Sequence, residues 1–346
     1  MTKESKIYFS ILIYFIIILF FAGISYGNFY LIGYRFSTFI KPVKKSIILR
    51  QSAEVRNFGY SKCSNTSQRL ESGNFIYPYL VGLIEGDGWF TVSKNGKYLM
   101  FELGIELSIR DVQLIYKIRD LLGVGIVVFR DKEYNKESKE EDRIVNSKSE
   151  SKLNKKRNNV IFRIRNKSHL KEIIIPIFDK YPFLTNKQYD YIRFRSALLS
   201  NLIYSKDLIS YVRPDIPINT VESVLSKSYF IPWLVGFIEA ESCFAIYKPV
   251  SSLSYSASFE ISQTNGNIII LAIREFLGLI PKVTVDKTNN FRIKVSSVRG
   301  VENIIKFINK APIKLLGHKK LQYIIWLKKL RKIPRYSNRL NIPLNY

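Results

Sequence analysis

The chain has 346 residues, enough for two domains of ordinary size with tails, and its 54 Lys and Arg against 28 Asp and Glu leave a formal net charge of +26. That excess points to a densely anionic partner, nucleic acid first and an anionic membrane surface second. Two cysteines, Cys63 and Cys243, exclude a disulfide framework and a CxxC zinc site, and two histidines, His169 and His318, are too few and too far apart for a histidine-based metal centre.

Residues 7–24, IYFSILIYFIIILFFAGI, are uncharged and overwhelmingly apolar, which reaches the lower limit of a membrane-spanning helix. No clear cleavage signal follows before the basic segment 41–50. Residues 51–73, polar and rich in Ser and Asn, read as a linker, so residues 1–72 are expected to stand apart from the folded core.

At 80–88 the chain reads LVGLIEGDG, and Pro78, two residues ahead, suits the first position of a helix. Residues 89–93 then alternate, Phe90 and Val92 to one side, Thr91 and Ser93 to the other, as in a half-buried strand. Asn95-Gly96 supplies a hairpin turn. The return strand, 100–109, turns Phe101, Leu103, Ile105 and Leu107 inward and Glu102, Gly104, Glu106 and Ser108 outward. Asp111 is placed to cap a helix carrying Val112, Ile115, Ile118, Leu121 and Leu122, closed by Gly123. A third strand starts at 125, and residues 131–159 form a charged insertion too poor in apolar surface to order itself. A fourth strand, 160–165, carries Arg163 and Arg165 on its polar side. A helix to about Lys180, a Pro182-containing turn and a Tyr- and Arg-rich helix starting near Lys187 complete the first half.

Residues 234–242, LVGFIEAES, restate the motif behind Pro232. The same order follows: strands at 244–248 and 257–263, a helix at 267–277, strands at 282–286 and 290–295, and a helix from Val301. Cys243, in the strand after the second motif, is expected to be a small buried residue. The basic tail, 328–339, suits either phosphate contact or a solvated end. Within the motifs, Gly82 and Gly86, and Gly236 and Ala240, lie four apart on one helix face. Two helices of this kind can approach far closer than Leu-sized side chains would allow. Packed together they would bring Asp87 and Glu241 side by side, where like charges repel unless a cation lies between, and a hard divalent ion held by oxygens is the natural one.

The two stretches resemble the paired signature helices of single-chain LAGLIDADG homing endonucleases, and the likeness covers residues 77–330. It implies an α+β fold of two pseudo-symmetric αββαββα halves with antiparallel DNA-binding sheets, packed through the motif helices, in a monomer divided as 73–205, a linker 206–227, and 228–346. It implies Asp87 and Glu241 as catalytic acids and, with Gly86 and Ala240, as ligands of Mg2+ or Mn2+. Lys187 and Lys319 match catalytic lysines, and Gln263 matches a residue that orders water near the metals. Ile109 stands where the first half would have its glutamine, so the two centres are expected to differ. The outward positions Thr91, Ser93, Glu102, Gly104, Glu106, Ser108, Arg163 and Arg165 would face DNA, joined in the second half by Ser256, Ser258, Glu260, Arg292 and Lys294. The implied partner is double-stranded DNA with an asymmetric target. Host intron RNA, bound by a maturase, is the alternative, and a membrane is a partner only if the leader is retained. The apolar leader resembles the upstream-exon fusions of fungal mitochondrial members, which implies a mitochondrial location.

The insertion yields a first test. Loop length costs stability slowly, about 0.6 kcal/mol per doubling, so replacing residues 131–159 by a five-residue turn should leave the protein folded, with a thermal midpoint within a few degrees of the parent's. A shortened chain that fails to fold would show that the segment belongs to a core.

Overall fold

The computed structural model describes residues 66–130, 159–250 and 254–346, with side chains from residue 75 onward. The apolar leader, most of its linker and nearly all of the charged insertion lie outside the described residues. No described helix is long and apolar enough to cross a membrane.

The first motif ends helix α1 (Thr66–Asp87), and the second ends helix α6 (Phe230–Glu241). Both helices begin ahead of the expected prolines. Pro78 lies inside α1, where its missing N–H forgoes one backbone hydrogen bond; the helix runs through it because the next turns, from Tyr79 to Ile84, are buried. Pro232 stands in the first turn of α6, where N–H groups have no helical partner and its loss is harmless. A Cβ at Gly82 would collide with the carbonyl oxygen of Trp233, and one at Gly236 with that of Tyr79. The two backbones are therefore in direct contact, as the glycine spacing requires.

Each motif helix runs into a four-stranded antiparallel sheet. β1 (Gly88–Asn95), β2 (Tyr98–Ser108), β3 (Ile126–Arg130) and β4 (Asn159–Ile164) pair in the order β1-β2-β4-β3. β5 (Ser242–Tyr247), β6 (Ser256–Thr264), β7 (Thr284–Val285) and β8 (Asn290–Val295) repeat it as β5-β6-β8-β7. Helix α2 (Val112–Leu122) ends on Gly123 at φ 68°, and α7 (Asn267–Phe276) is its counterpart. A helical run over 167–180 (α3) leads in the first half to α4 (Lys187–Leu199). After the short α5 (Val221–Leu225), the second half closes with α8 (Val298–Lys310), α9 (His318–Leu330) and α10 (Pro334–Ser337). β7 keeps only two residues, and the β7–β8 connection is a tight turn in which Asp286 accepts from the amides of Thr288 and Asn290.

The apolar inner faces meet these helices. Phe90 sits within 5.1–5.6 Å of the rings of Phe178, Phe183, Tyr191 and Phe194, which fastens β1 to α4. Its counterpart Phe244 lies 5.3 Å from Tyr323 and 5.2 Å from Trp326, fastening β5 to α9. The ring two residues after each motif thus anchors the helix that begins at a lysine candidate.

Two expectations change. Cys243 is exposed, because it falls on the outward parity of β5, opposite Glu260. The tail is anchored rather than a free end: Tyr336 is fully buried, its hydroxyl donating to Ser296 O at 2.9 Å and accepting from Ala257 N at 3.1 Å, while Lys328, Lys329, Lys332, Arg335 and Arg339 stay exposed.

Gly236→Val should be severely destabilising, since the side chain must displace a backbone carbonyl and overpacking costs about 1–3 kcal/mol even where side chains can yield. Urea denaturation checks this; a variant with the parent's midpoint would contradict the backbone contact.

Candidate active site

The close-packed helices end together, and that delivers Asp87 and Glu241 to one place. A Cβ at Gly86 would stand 3.3 Å from Glu241 Oε1, so the absence of a side chain there makes room for the second acid. Burial pushes Asp87 up to about 6, against the pull of Lys187 and Lys319. Burial, and then the charge of Asp87, push Glu241 up to about 7. Two carboxylates held half-buried with raised proton affinity make a site that favours a cation between them.

The lysines approach from opposite halves. Lys187 Nζ donates to Gly88 O at 2.6 Å, Ile84 O at 3.0 Å and Gly86 O at 3.4 Å, covering carbonyls at the end of α1 and the first of β1. Its burial lowers it to about 8, while Glu85, Glu241 and Asp87 hold it up. Lys319 Nζ donates to Ser242 O at 2.5 Å, the corresponding carbonyl beyond α6. Ser242 replaces the closing glycine at no cost: it takes φ −96°, ψ 162°, and its hydroxyl donates to Ile238 O at 2.6 Å.

Sequence reasoning assigned no role to the first acid of each motif, and both carry the frame. Glu85 accepts from Trp233 Nε1 at 2.6 Å and from the amide of Thr185. Glu239 accepts from the Tyr79 hydroxyl at 2.9 Å, Leu316 N at 2.8 Å and Gly317 N at 3.1 Å. Each aromatic donor reaches across to the other helix, and each acid receives the loop before a lysine helix of its own half. Burial raises both acids, and their donors oppose that shift. The signal was present in the repeat, Tyr79 and Trp233 each standing six residues before the first acid of its own motif while bonding the acid of the other.

Asp111 does not cap its own helix; its Oδ1 accepts from His318 N at 2.6 Å, at the start of α9 in the other half. His318 thus borders the site rather than an ordinary loop. With Asp87, Ser108, Glu239 and Lys319, Asp111 lines a cavity of about 160 Å³. Among the described residues Gln263 Oε1 is buried without a hydrogen-bond partner; strand register matches it to Leu107 rather than to Ile109, and both of those side chains are apolar.

The outward strand positions divide. Thr91 and Ser93 are half-buried, Ser108 is exposed, and Arg163 has no acidic partner among the described residues. Glu102 is buried, accepting from Trp89 Nε1 at 3.0 Å and Arg165 Nε at 2.5 Å, and the Trp89 ring fills the space over Gly104. Glu106 is held by Asn159 at 2.8 Å and Arg130 at 3.2 Å, and Glu260 by Arg292 at 3.2 Å and Lys294 at 3.8 Å. Ser256 and Ser258 are 4% and 2% exposed, Ser256 lying 3.3 Å from the Tyr336 hydroxyl. Glu102, Gly104, Ser256 and Ser258 are therefore covered rather than presented, for reasons that alternation alone does not reveal: an aromatic ring and the folded-back tail.

Among the described residues no group of three or more His, Cys, Asp or Glu could hold a metal ion. The donor set does fit a hard divalent cation in part, with two acids and the motif-end carbonyls, the remaining oxygens having to come from a bound partner.

The family described as LAGLIDADG endonuclease matches residues 80–153, 142–198 and 234–330. The chain is 32% identical over 284 residues to the probable intron-encoded endonuclease Cox1-I1b of Schizosaccharomyces pombe, covering 73% of this chain and 64% of that one, so it spans a little under two thirds of that relative. It is 29% identical over 252 residues to the probable intron-encoded endonuclease aI3 of Dictyostelium citrinum, covering 70% and 90%. Among solved structures, the meganuclease I-SmaMI bound to uncleaveable DNA superposes with TM-score 0.55 at 20% identity, covering 76% of this chain and 95% of that one. The I-LtrWI homing endonuclease bound to target DNA superposes with TM-score 0.54 at 22% identity, covering 79% and 100%. At these identities the structural likeness is one of fold.

The raised acids predict a pH dependence. Asp87 and Glu241 hold protons in the metal-free folded chain that the unfolded chain has released, so their contribution to stability is lost as pH rises from about 4 through 7. Urea titrations should show a steeper decline over this window for the parent than for Asp87→Asn/Glu241→Gln. Equal slopes would contradict the desolvated pair.

Proposed function

The chain belongs to the LAGLIDADG endonuclease family, and we propose from that membership and the site's geometry that it is a site-specific DNA endonuclease. It makes a double-strand break in a long asymmetric target by divalent-metal-dependent phosphodiester hydrolysis, and so promotes intron homing. The observation that carries the reading is the meeting of Asp87 and Glu241 at the ends of two helices in backbone contact, with a lysine from each half beside them. The relatives' endonuclease names favour DNA over intron RNA as the partner. They also support a mitochondrial setting, another relative being a mitochondrial protein of Saccharomyces cerevisiae.

In this reading Asp87 and Glu241 would hold Mg2+ or Mn2+, with Gly86 and Ala240 offering carbonyls; the bound ion supplies an activated water and a charge to stabilise the leaving oxygen. Lys187, at about 8, carries its proton over most of the neutral range and offers positive charge to a phosphate; Lys319 brings its side chain to the site from the other half. The unpartnered oxygen of Gln263 is available to orient water on its side only. The sheets' outer faces lie in adjacent major grooves. Their acids are already paired with Arg or Lys and the Ser93 hydroxyl is buried, so Arg163, Thr91 and Ser108 are the better candidates for base edges in the first half.

Asp87→Asn or Glu241→Gln should reduce double-strand cleavage at least ~10³-fold while leaving target affinity nearly unchanged, because each acid serves the chemistry and not the bases. Cleavage of both strands at the parental rate in magnesium would sink the assignment. Affinity should also fall by roughly 10³ to 10⁵ between about 50 and 200 mM salt, as for a protein making about 6–10 phosphate contacts. A flat titration would indicate a different partner.

A further inference from the structure

The two lysine helices are gripped differently. The loop entering α9 presents three successive amides, of Leu316, Gly317 and His318. Glu239 takes the first two from within the second half. Asp111 takes the third from the first half, at 2.6 Å, and Lys117 Nζ of the same half reaches Leu316 O at 3.5 Å. The residue after His318 is Lys319. Its ammonium position therefore depends on a helix start clasped between a carboxylate of its own half and one from across the interface.

The mirror arrangement is missing. Helix α7 has Gly266 at its N-cap, where α2 has Asp111, and a glycine offers no side-chain acceptor. Asn265 stands at φ 54°, and its side-chain oxygen accepts from Asn289 Nδ2 at 2.6 Å within its own half. The loop before Lys187 is held instead by the chain that links the halves, Asn219 Nδ2 donating to Leu184 O at 3.0 Å and Ile218 N to Asn186 Oδ1 at 3.3 Å, and farther from the lysine by the Tyr229 hydroxyl of the second half, which donates to Pro182 O at 2.7 Å.

We propose that Asp111 is a positioning residue for Lys319 alone, so that a carboxylate of the first half completes the second half's centre, while among the described residues no carboxylate of the second half holds the start of the Lys187 helix. The assignment rests on the endonuclease reading and adds that the two strand cuts can be separated by a residue that is neither of the two acids nor a lysine. Loss of the Asp111 acceptor leaves His318 N without its partner and lets the start of α9 shift, and a displacement of about 1 Å can cost roughly a hundredfold in rate.

The test is strand-resolved, single-turnover cleavage of an end-labelled target duplex in magnesium by the full chain, with Lys319→Ala and Lys187→Ala as references. Asp111→Ala should slow the strand that Lys319→Ala slows by about ten- to a hundredfold, accumulating nicked product, with the other strand within about threefold of the parent and target affinity unchanged. Asp111→Asn should restore the rate, because its amide oxygen still accepts from His318 N. His318→Pro removes the same hydrogen bond from the donor side at a first helical position, where proline is tolerated, and should reproduce the same strand bias even if the alanine variant does not fold. Equal slowing of both strands, slowing of neither, or the bias of Lys187→Ala would overturn the assignment. A parent that cuts neither strand would remove the endonuclease reading, and this assignment with it.

Discussion

The structure depends on two helix backbones touching. Gly82 and Gly236 leave no atom between α1 and α6 where the carbonyls of Trp233 and Tyr79 pass, and every functional distance follows from that closeness. Because the helices meet at their glycines, their ends cannot diverge, and Asp87 and Glu241 arrive in one place despite their mutual repulsion. The cost is borne by burial elsewhere: Leu80, Val81, Leu83 and Ile84 in one helix, and Leu234, Val235, Phe237 and Ile238 in the other, are at most 1% exposed.

A second layer converts this contact into a positioned site. Trp233 bonds Glu85 and Tyr79 bonds Glu239, so each helix satisfies the buried acid of the other. An unpartnered buried carboxylate would be expensive, and the exchange means that neither helix is complete alone. The same acids then take the amides of the loops before Lys187 and Lys319. Interface, loops and lysines therefore form one hydrogen-bonded unit, in which the first acid of each motif is engaged by the frame and the second, in the proposed function, serves the chemistry.

Much of this was legible in the sequence because the motif repeats. Glycine spacing implied the helix contact, the shared helix ends implied the acid pair, and period-two alternation placed Phe101, Leu103 and Ile105 correctly inside. What alternation could not show is what lies on top of a face. Trp89 shares the outward parity and lies over Gly104 and beside Glu102, and Tyr336 returns from seventy residues beyond β6 to enclose Ser256. Asp111 looked like a helix cap because a cap is a local pattern, whereas its partner His318 is fixed only by the fold. Helix starts were misplaced for a related reason: proline reports a local preference, and the burial of the turns after Pro78 outweighs it.

The halves share a strand order but differ in detail. By strand register Gln263 takes the place of Leu107 rather than of Ile109, Ser242 that of Gly88, and Gly266 the helix-cap place of Asp111, and the acids themselves differ in length. A pair of unequal centres matched to unequal sheet faces is suited to a target with no two-fold symmetry. The most direct measurement is selection of cleaved duplexes from a randomised DNA library incubated with the full chain in magnesium. The account predicts enrichment of a single long, asymmetric sequence cut on both strands across one minor groove. Enrichment of a palindrome, or no cleavage of any duplex, would contradict it.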